Sequence, residues 1–447
     1  MSTDSISVCF DATRLRTRLK AVEQPTGIDR VDLAYLQALS ADPQLALSLA
    51  VRGVFGIRQL KPSATQQLLE DIARCWCARP TDAQPLFLAV RDWLESPALT
   101  PCAPLARNAS PRARRELGSE PDLAPARLRE GEEQMRRDQK SLQKPSQPTL
   151  YINTSHGQLY RPAYARWLTR TGLRGLFFVH DLIPIEHPEY SRAAEPARHA
   201  ARLDTIAAQA GAVLVNSAAT RDALQAYWAA RNVRMPAITV APLGVGLHSA
   251  EPQFPAPKAV VPYFVMLGTI EPRKNHLLLL KLWRQMVAAD PLAAPRLVLV
   301  GRRGWLNEPV FRLLDDSPGL AAHLIECSGL ADAELLALLH GACALLNPSF
   351  AEGFGLPVAE ALAAGVPVLA SSLAAHREVG GESADYLDPR DVEGWLHAIR
   401  DFAEPASPRR KHALLRVARY QPPTWAGHFE IVRETLRTMH AQSTCPT

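Results

Sequence analysis

Short apolar runs separated by helix-like stretches recur along this chain, and that alternation constrains the fold more than any other feature. In the first half such runs fall at Ile6–Phe10, Leu45–Val51, Thr149–Asn153, Leu176–Val179, Ala212–Val215 and Ile238–Val240. In the second half they fall at Tyr263–Leu267, Arg296–Val300, Leu324–Cys327, Ala344–Asn347 and Val366–Ala370. Strands alternating with helices build βαβ units, whose crossovers force the strands to run parallel. The proline-dense, aperiodic segment 251–258 divides the two sets and reads as a linker. The expectation is α/β: one open doubly wound sheet in residues 1–250 and a second in 259–420, with 421–447 as a closing helix. Ligands of such sheets bind beyond the carboxyl ends of the strands, so two of them imply a cleft between the domains.

At 447 residues the chain exceeds what one simple core supports, which agrees with two domains. A net charge of +5 is small for that size and does not point to nucleic acid, and no nucleic-acid-binding motif appears. The seven cysteines are scattered, and Cys75-Trp-Cys77 lacks the spacing of zinc or redox pairs. Free thiols in a reducing cytoplasm are the expectation. The amino terminus leads straight into Ile6–Phe10, which predicts no signal peptide, and no apolar run is long enough to span a bilayer. Residues 97–148 are rich in Pro, Arg, Glu and Gln, and read as a flexible or partly helical insertion. Near the end, Trp425, Phe429, Val432 and Leu436 share one helical face, which predicts packing on a domain.

The segment from Glu352 to Glu360 carries the sharpest chemical signal. Glycines at 353 and 355 let backbone approach a ligand, and Pro357 is expected at the first position of a helix that Gly365 closes. Phe354, Gly355 and Leu356 then sit at a helix start that favours an anion, and Glu360 leans back toward it. Two carboxylates around an anion site suit a molecule with hydroxyls and phosphates; an ordinary loop–helix junction is the plain alternative.

Four further segments fall at predicted strand ends. Arg273 and Lys274 follow the Tyr263–Leu267 strand and are suited to phosphate, Arg as a fork and Lys as a point charge. His180 and Asp181 end the apolar run Phe177–Val179, although a lone histidine there is often structural. Gly27, in the run Pro25-Thr-Gly-Ile-Asp-Arg30, offers backbone to a phosphate or sugar. Gly301, in Val300-Gly-Arg-Arg-Gly304, offers backbone to a nucleotide base.

Taken together, residues from about Val261 to Leu387 resemble the catalytic domain of family 4 glycosyltransferases. Their hallmark, Glu, seven residues, Glu, is matched by Glu352 and Glu360, and an upstream Arg-Lys pair by Arg273 and Lys274. The resemblance implies the GT-B arrangement: two Rossmann-like domains facing a central cleft, with a last helix crossing back onto the first. In the first half the resemblance rests on Thr26-Gly-Ile28, the strand ending at His180 and Val213-Leu-Val-Asn-Ser217. The runs His180-Asp-Leu-Ile-Pro184 and Thr26-Gly-Ile-Asp-Arg-Val31 look most like bacterial mannosyltransferase-type members that build surface polysaccharide. It implies a donor diphosphate on Arg273 and Lys274, helped by the amides at Phe354, Gly355 and Leu356, and a ribose on Glu360. Glu352 and His180 would face the sugar from opposite domains, Gly27 the phosphates and Gly301 the nucleotide.

The implied donor is a nucleotide diphosphate sugar, GDP-mannose first and a UDP-sugar next. The implied acceptor is a saccharide or a polyprenol-linked saccharide, and the implied outcome is retention. Fixed cations remove the need for a divalent metal, and the chain holds no Asp-x-Asp run. Two other readings stay open: a sugar-nucleotide epimerase sharing the two-domain arrangement, and a non-catalytic nucleotide-binding protein. A last expectation concerns location at the inner face of the cytoplasmic membrane. A helix after Pro162 would set Tyr164, Trp167 and Leu168 beside Arg166, Arg170 and Arg174, which suits an anionic membrane surface. The same spacing also fits a core-facing helix with a solvated arginine edge.

Overall fold

Continuous apolar runs bury both faces of a strand, and this chain packs them into two parallel sheets covered by helices. A computed structural model describes residues 5–20, 27–53, 56–76, 84–101, 149–246 and 253–444. The first sheet contains β1 (Ile6–Asp11), β2 (Leu45–Gly53), β3 (Gly56–Gln59), β4 (Thr149–Asn153), β5 (Arg174–Val179), β6 (Ala210–Val215) and β7 (Ala237–Val240). Their spatial order is β3-β2-β1-β4-β5-β6-β7, parallel except where β3 folds back on β2. The second contains β8 (Tyr263–Leu267), β9 (Arg296–Val300), β10 (Leu324–Cys327), β11 (Leu345–Asn347), β12 (Val368–Ser371) and β13 (Asp385–Leu387). Its order, β10-β9-β8-β11-β12-β13, is the doubly wound one, all parallel. The chain reverses direction across each sheet between β1 and β4, and between β8 and β11. A crevice opens at the carboxyl ends of such strand pairs.

The helix Pro85–Glu95 precedes most of the first sheet in sequence yet docks on the second domain. Arg296, fully buried on β9, stacks over the Trp93 ring and donates to the carbonyls of Trp93, Leu94 and Ala98. The Gln84 N–H donates to Glu334, the Lys258 N–H to Glu95, and Phe87 packs on Phe254. Of the insertion read at 97–148, only 97–101 lie among the described residues. The closing helix Trp425–Thr444 returns to the first domain: Phe429, Val432 and Leu436 are buried, and His428 Nε2 meets the Tyr35 hydroxyl at 2.8 Å. Gly244 is necessary there, because a Cβ would lie 2.3 Å from the Trp425 nitrogen.

One expectation is corrected. The helix Pro162–Thr171 turns Tyr164, Trp167 and Leu168 into the core of the first domain, where Tyr164 meets the Tyr151 hydroxyl at 2.7 Å. Arg166 and Arg170 remain exposed, and Arg174 bonds Gln442 and Ser443 of the closing helix. The aromatic side is therefore turned away from any lipid surface. Arg166 and Arg170 form the solvated edge of a core helix, which ends at Thr171, and Arg174 belongs to β5 instead. Among the described residues, no helix is long and apolar enough to cross a membrane. Among the described residues, Cys9, Cys75, Cys327 and Cys343 form no disulfide.

Candidate functional site

The loops after β8 and β11 meet at the switch point of the second sheet. After β8, Gly268 adopts φ +130° and the Pro272–Lys274 segment makes a single tight turn before the helix His276–Ala289. This turn buries Lys274, whose side chain runs past Gly268: a Cβ at 268 would sit 3.3 Å from its Cε. The Phe350 N–H donates to the Arg273 carbonyl at 2.7 Å, tying the second loop to the first. Gly301, at the end of β9, completes the floor. A Cβ there would lie 1.9 Å from the Gly268 carbonyl oxygen, so only glycine lets these strand ends approach.

Glu352 is the hub of the charges. Its carboxylate accepts from Lys274 Nζ at 2.5 Å and from Arg273 Nη1 at 2.8 Å, and Ser349 Oγ lies 2.8 Å away. Arg273 also pairs with Glu271 at 2.7 Å. Burial alone would raise the Glu352 pKa, but the charges of Arg273 and Lys274 outweigh it and hold the carboxyl well below the usual carboxylate range. Burial lowers the pKa of Lys274 despite Glu352, while Glu352 and Glu271 overcome burial to raise that of Arg273.

The second carboxylate sits on the helix Leu356–Ala363. Pro357 occupies the second position of this helix rather than the first, behind Gly355 at φ +90°. A Cβ at Gly355 would also meet the His376 ring at 2.8 Å, so this position needs glycine twice over. The Val358 and Ala359 N–H groups bond the Gly355 carbonyl and Pro357 has none, which leaves Gly355 and Leu356 to offer backbone donors to an anion. Gly365, at φ +76°, closes the helix as expected. Burial pushes the Glu360 carboxyl up to about 7, against the pull of Arg30. That arginine comes from the opposite domain: Arg30 Nη1 donates to Glu360 Oε1 at 3.0 Å, and Nη2 to Asp332.

From the first domain, His180 ends β5 with its ring buried. Its Nε2 lies 2.6 Å from the Thr154 carbonyl, which requires the proton on Nε2, and burial pushes its pKa down to about 4. A neutral imidazole therefore faces the cleft at pH 7. Gly27 starts the helix Ile28–Ala41 at φ +50°, while Thr26 lies outside the described residues.

All ten residues singled out in the sequence, His180, Glu352, Arg273, Lys274, Gly27, Gly301, Phe354, Gly355, Leu356 and Glu360, line one interdomain cleft of about 1860 Å³. Sequence reasoning gave no role to Arg30, Asp332, Glu271 or His376. Arg30 stood inside the Thr-Gly-Ile-Asp-Arg run, but its partner Glu360 lies 330 positions away, beyond any local signal.

Comparison with known proteins agrees with this geometry. Residues 261–404 match the family model described as glycosyl transferases group 1, so the second half of the chain contains a domain of that group. A serotype-specific mannosyltransferase, WbdA of Escherichia coli, is 30% identical over 258 residues, 53% of this chain and 31% of that protein. O-antigen chain mannosyltransferase B of Escherichia coli is 36% identical over 132 residues, 29% of this chain and 34% of that one. The matched region thus spans about a third of the length of these curated relatives. Sucrose-phosphate synthase from Thermosynechococcus elongatus aligns over 98% of this chain and all of its own, with a TM-score of 0.57 and 19% identity. An alpha,alpha-trehalose 6-phosphate synthase from Burkholderia multivorans aligns over 99% of this chain and 100% of its own, with a TM-score of 0.59 and 13% identity. At these identities the likeness establishes the fold, two Rossmann-like domains in the GT-B arrangement.

Proposed function

From a glycosyl transferases group 1 domain joined across a cleft to a second Rossmann-like domain, we propose that this chain is a retaining glycosyltransferase. It moves a hexose from a nucleotide diphosphate sugar to a saccharide or polyprenol-linked saccharide, in the assembly of surface polysaccharide on the cytoplasmic side. The observation that carries this reading is the cluster of Arg273, Lys274 and Glu352, which lines the same cleft as Glu360.

When the bond between the anomeric carbon and the diphosphate oxygen breaks, negative charge gathers on the leaving group. Arg273, Lys274 and the amides at Gly355 and Leu356 are held in place beforehand to receive it. The sugar becomes cationic, and Glu352, kept ionised by its neighbours, supplies a fixed negative charge beside it. Glu360 takes the ribose hydroxyls and Gly301 gives the nucleotide backbone contact. Gly27 and neutral His180 approach the phosphates and the sugar from the other domain. Fixed cations do the work that a divalent metal does in other transferases. Mannose is the favoured sugar, because the named relatives are mannosyltransferases, and GDP-mannose is then the first donor to try, with UDP-sugars next.

An epimerase would need a carboxyl that exchanges protons beside the sugar, whereas Glu352, assigned to the sugar, is held ionised by two cations. Glu360, the carboxyl pushed up to about 7, is paired with Arg30 and assigned to the ribose. Calorimetric titration with GDP, UDP, ADP and pyrophosphate tests the reading. A nucleoside diphosphate should bind wild type, lose affinity in Glu360→Gln, and leave pyrophosphate binding unchanged in that variant. A protein that binds none of the nucleotides contradicts it.

A further inference from the structure

Two carbonyl oxygens from opposite domains converge beneath the cleft, an arrangement that repels unless donors are placed between them. One belongs to Gly353, next to Glu352; the other belongs to His180. They are packed so closely that a Cβ on Gly353 would lie 2.2 Å from the His180 oxygen. The donors come from the start of the helix Ala218–Ala229. Ser217 Oγ donates to the Gly353 carbonyl at 2.7 Å, and its lone pair caps the helix by accepting the Thr220 N–H at 3.0 Å. Thr220 Oγ1 lies 3.2 Å from the Gly353 oxygen and 3.4 Å from that of His180, and Asn216 Nδ2 donates to His180 at 2.9 Å. Asn216, Ser217 and Thr220 are all buried. The helix dipole adds its positive end to the same spot. From the second domain Glu378 accepts the Ala218 N–H at 2.7 Å, so the junction is held from both sides.

We propose that Ser217 and Thr220 are positioning residues that set the separation of His180 and Glu352, joining the two halves of the reaction site when the cleft is closed. They touch neither nucleotide nor sugar; they act through the backbone of the loops that carry the reacting groups. The inference rests on the glycosyltransferase reading for its effect on turnover, but the junction itself is testable without it.

Ser217→Gly separates capping from bridging, because glycine is tolerated at a helix cap at little cost but carries no hydroxyl to donate to Gly353. In the free protein, hydrogen exchange should speed up together in 178–182 and 350–356, with the melting temperature nearly unchanged. Ser217→Thr, which keeps the hydroxyl, should restore slow exchange. With GDP-mannose as donor, Ser217→Gly and Thr220→Val should lower kcat at least 30-fold while the Kd for GDP stays within about threefold, and Ser217→Thr should rescue kcat. Exchange that changes only within Ala218–Ala229, or in neither loop, overturns the junction whatever catalysis does. Turnover by Ser217→Gly at the wild-type rate, or a Kd that weakens in step with kcat, overturns the positioning role. Absence of GDP binding and turnover in wild type would instead count against the donor reading, and the exchange result would still decide the junction.

Discussion

Replacing Lys274 with methionine removes one charge from a buried pair while keeping most of the side chain's bulk, so its two consequences can be separated. Lys274 and Glu352 are each less than 10% exposed and meet at 2.5 Å. Breaking a buried pair by deleting one partner costs about 3–5 kcal/mol, because the survivor is left uncompensated. Here Glu352 keeps Arg273 at 2.8 Å and Ser349 at 2.8 Å, which argues for a cost at or just below that range, about 2–3 kcal/mol. For a domain of this size that is a fall of about 5–10 °C in melting temperature. The catalytic loss has a different origin, since in the proposed reaction the ammonium group meets charge that grows as the diphosphate leaves. About 2–4 kcal/mol in kcat/KM, or about 30- to 900-fold, is expected. The double variant Lys274→Met/Glu352→Gln neutralises the orphaned carboxylate and should regain most of the melting temperature but none of the activity. Differential scanning calorimetry and nucleotide-release kinetics on the three proteins make the comparison. Wild-type kinetics in Lys274→Met would show that the lysine serves only to hold Glu352. An unchanged melting temperature would refute the burial argument itself.

Other perturbations probe separate contacts. Glu360 has a folded pKa of about 7, above its unfolded value, so it binds more protons folded than unfolded. Its contribution to stability is present at low pH and lost as pH rises through the window from about 4.3 to about 7. Glu360→Gln should flatten that slope in denaturant titrations, and an identical slope would contradict the assignment. Arg30 occupies one oxygen of Glu360 across the cleft, so Arg30→Met should raise the affinity for GDP relative to that for pyrophosphate. Competitive titration reads that ratio, and a fall in it would make Arg30 a nucleotide ligand instead of a competitor. Arg296→Met takes a charged donor from the carbonyls of Trp93 and Leu94, at the end of the Pro85–Glu95 helix, and of Ala98 just beyond it, at a cost of about 1–3 kcal/mol for each carbonyl left unsatisfied. Limited proteolysis should then cut beside this helix faster, and unchanged cleavage would argue against its role as an anchor.

The interior of each sheet was legible because burial on both faces demands an unbroken apolar run. β4, β8 and β9, all interior strands, lie at their expected bounds for that reason. β3 and β13 escaped notice: Gly-Ile-Arg-Gln and Asp-Tyr-Leu are short and sit at sheet edges, where one side needs no apolar partner. The candidate site was readable loop by loop, since glycines and charges at strand ends are local signals. Its connections were not. Arg30 reaches Asp332 over 302 positions, Ser217 reaches Gly353 over 136, and the Ala218 N–H reaches Glu378 over 160. Only the folded chain brings such pairs together. The Pro162–Thr171 helix marks another limit of sequence: periodicity identified an aromatic side and a basic side, but not that the aromatic side faces its own core. The docking of Pro85–Glu95 on the second domain is likewise set by Arg296, Glu334 and Phe254, all distant in the chain.

The central claim is that fixed cations drive retaining transfer from a nucleotide sugar. The most direct measurement is proton NMR of the product formed by the purified protein from GDP-mannose and a saccharide acceptor, in excess chelator. The account predicts GDP release coupled to transfer and an α-linked mannose. A β-linked product, an epimerised nucleotide sugar, or activity lost with chelator and regained with manganese would contradict it.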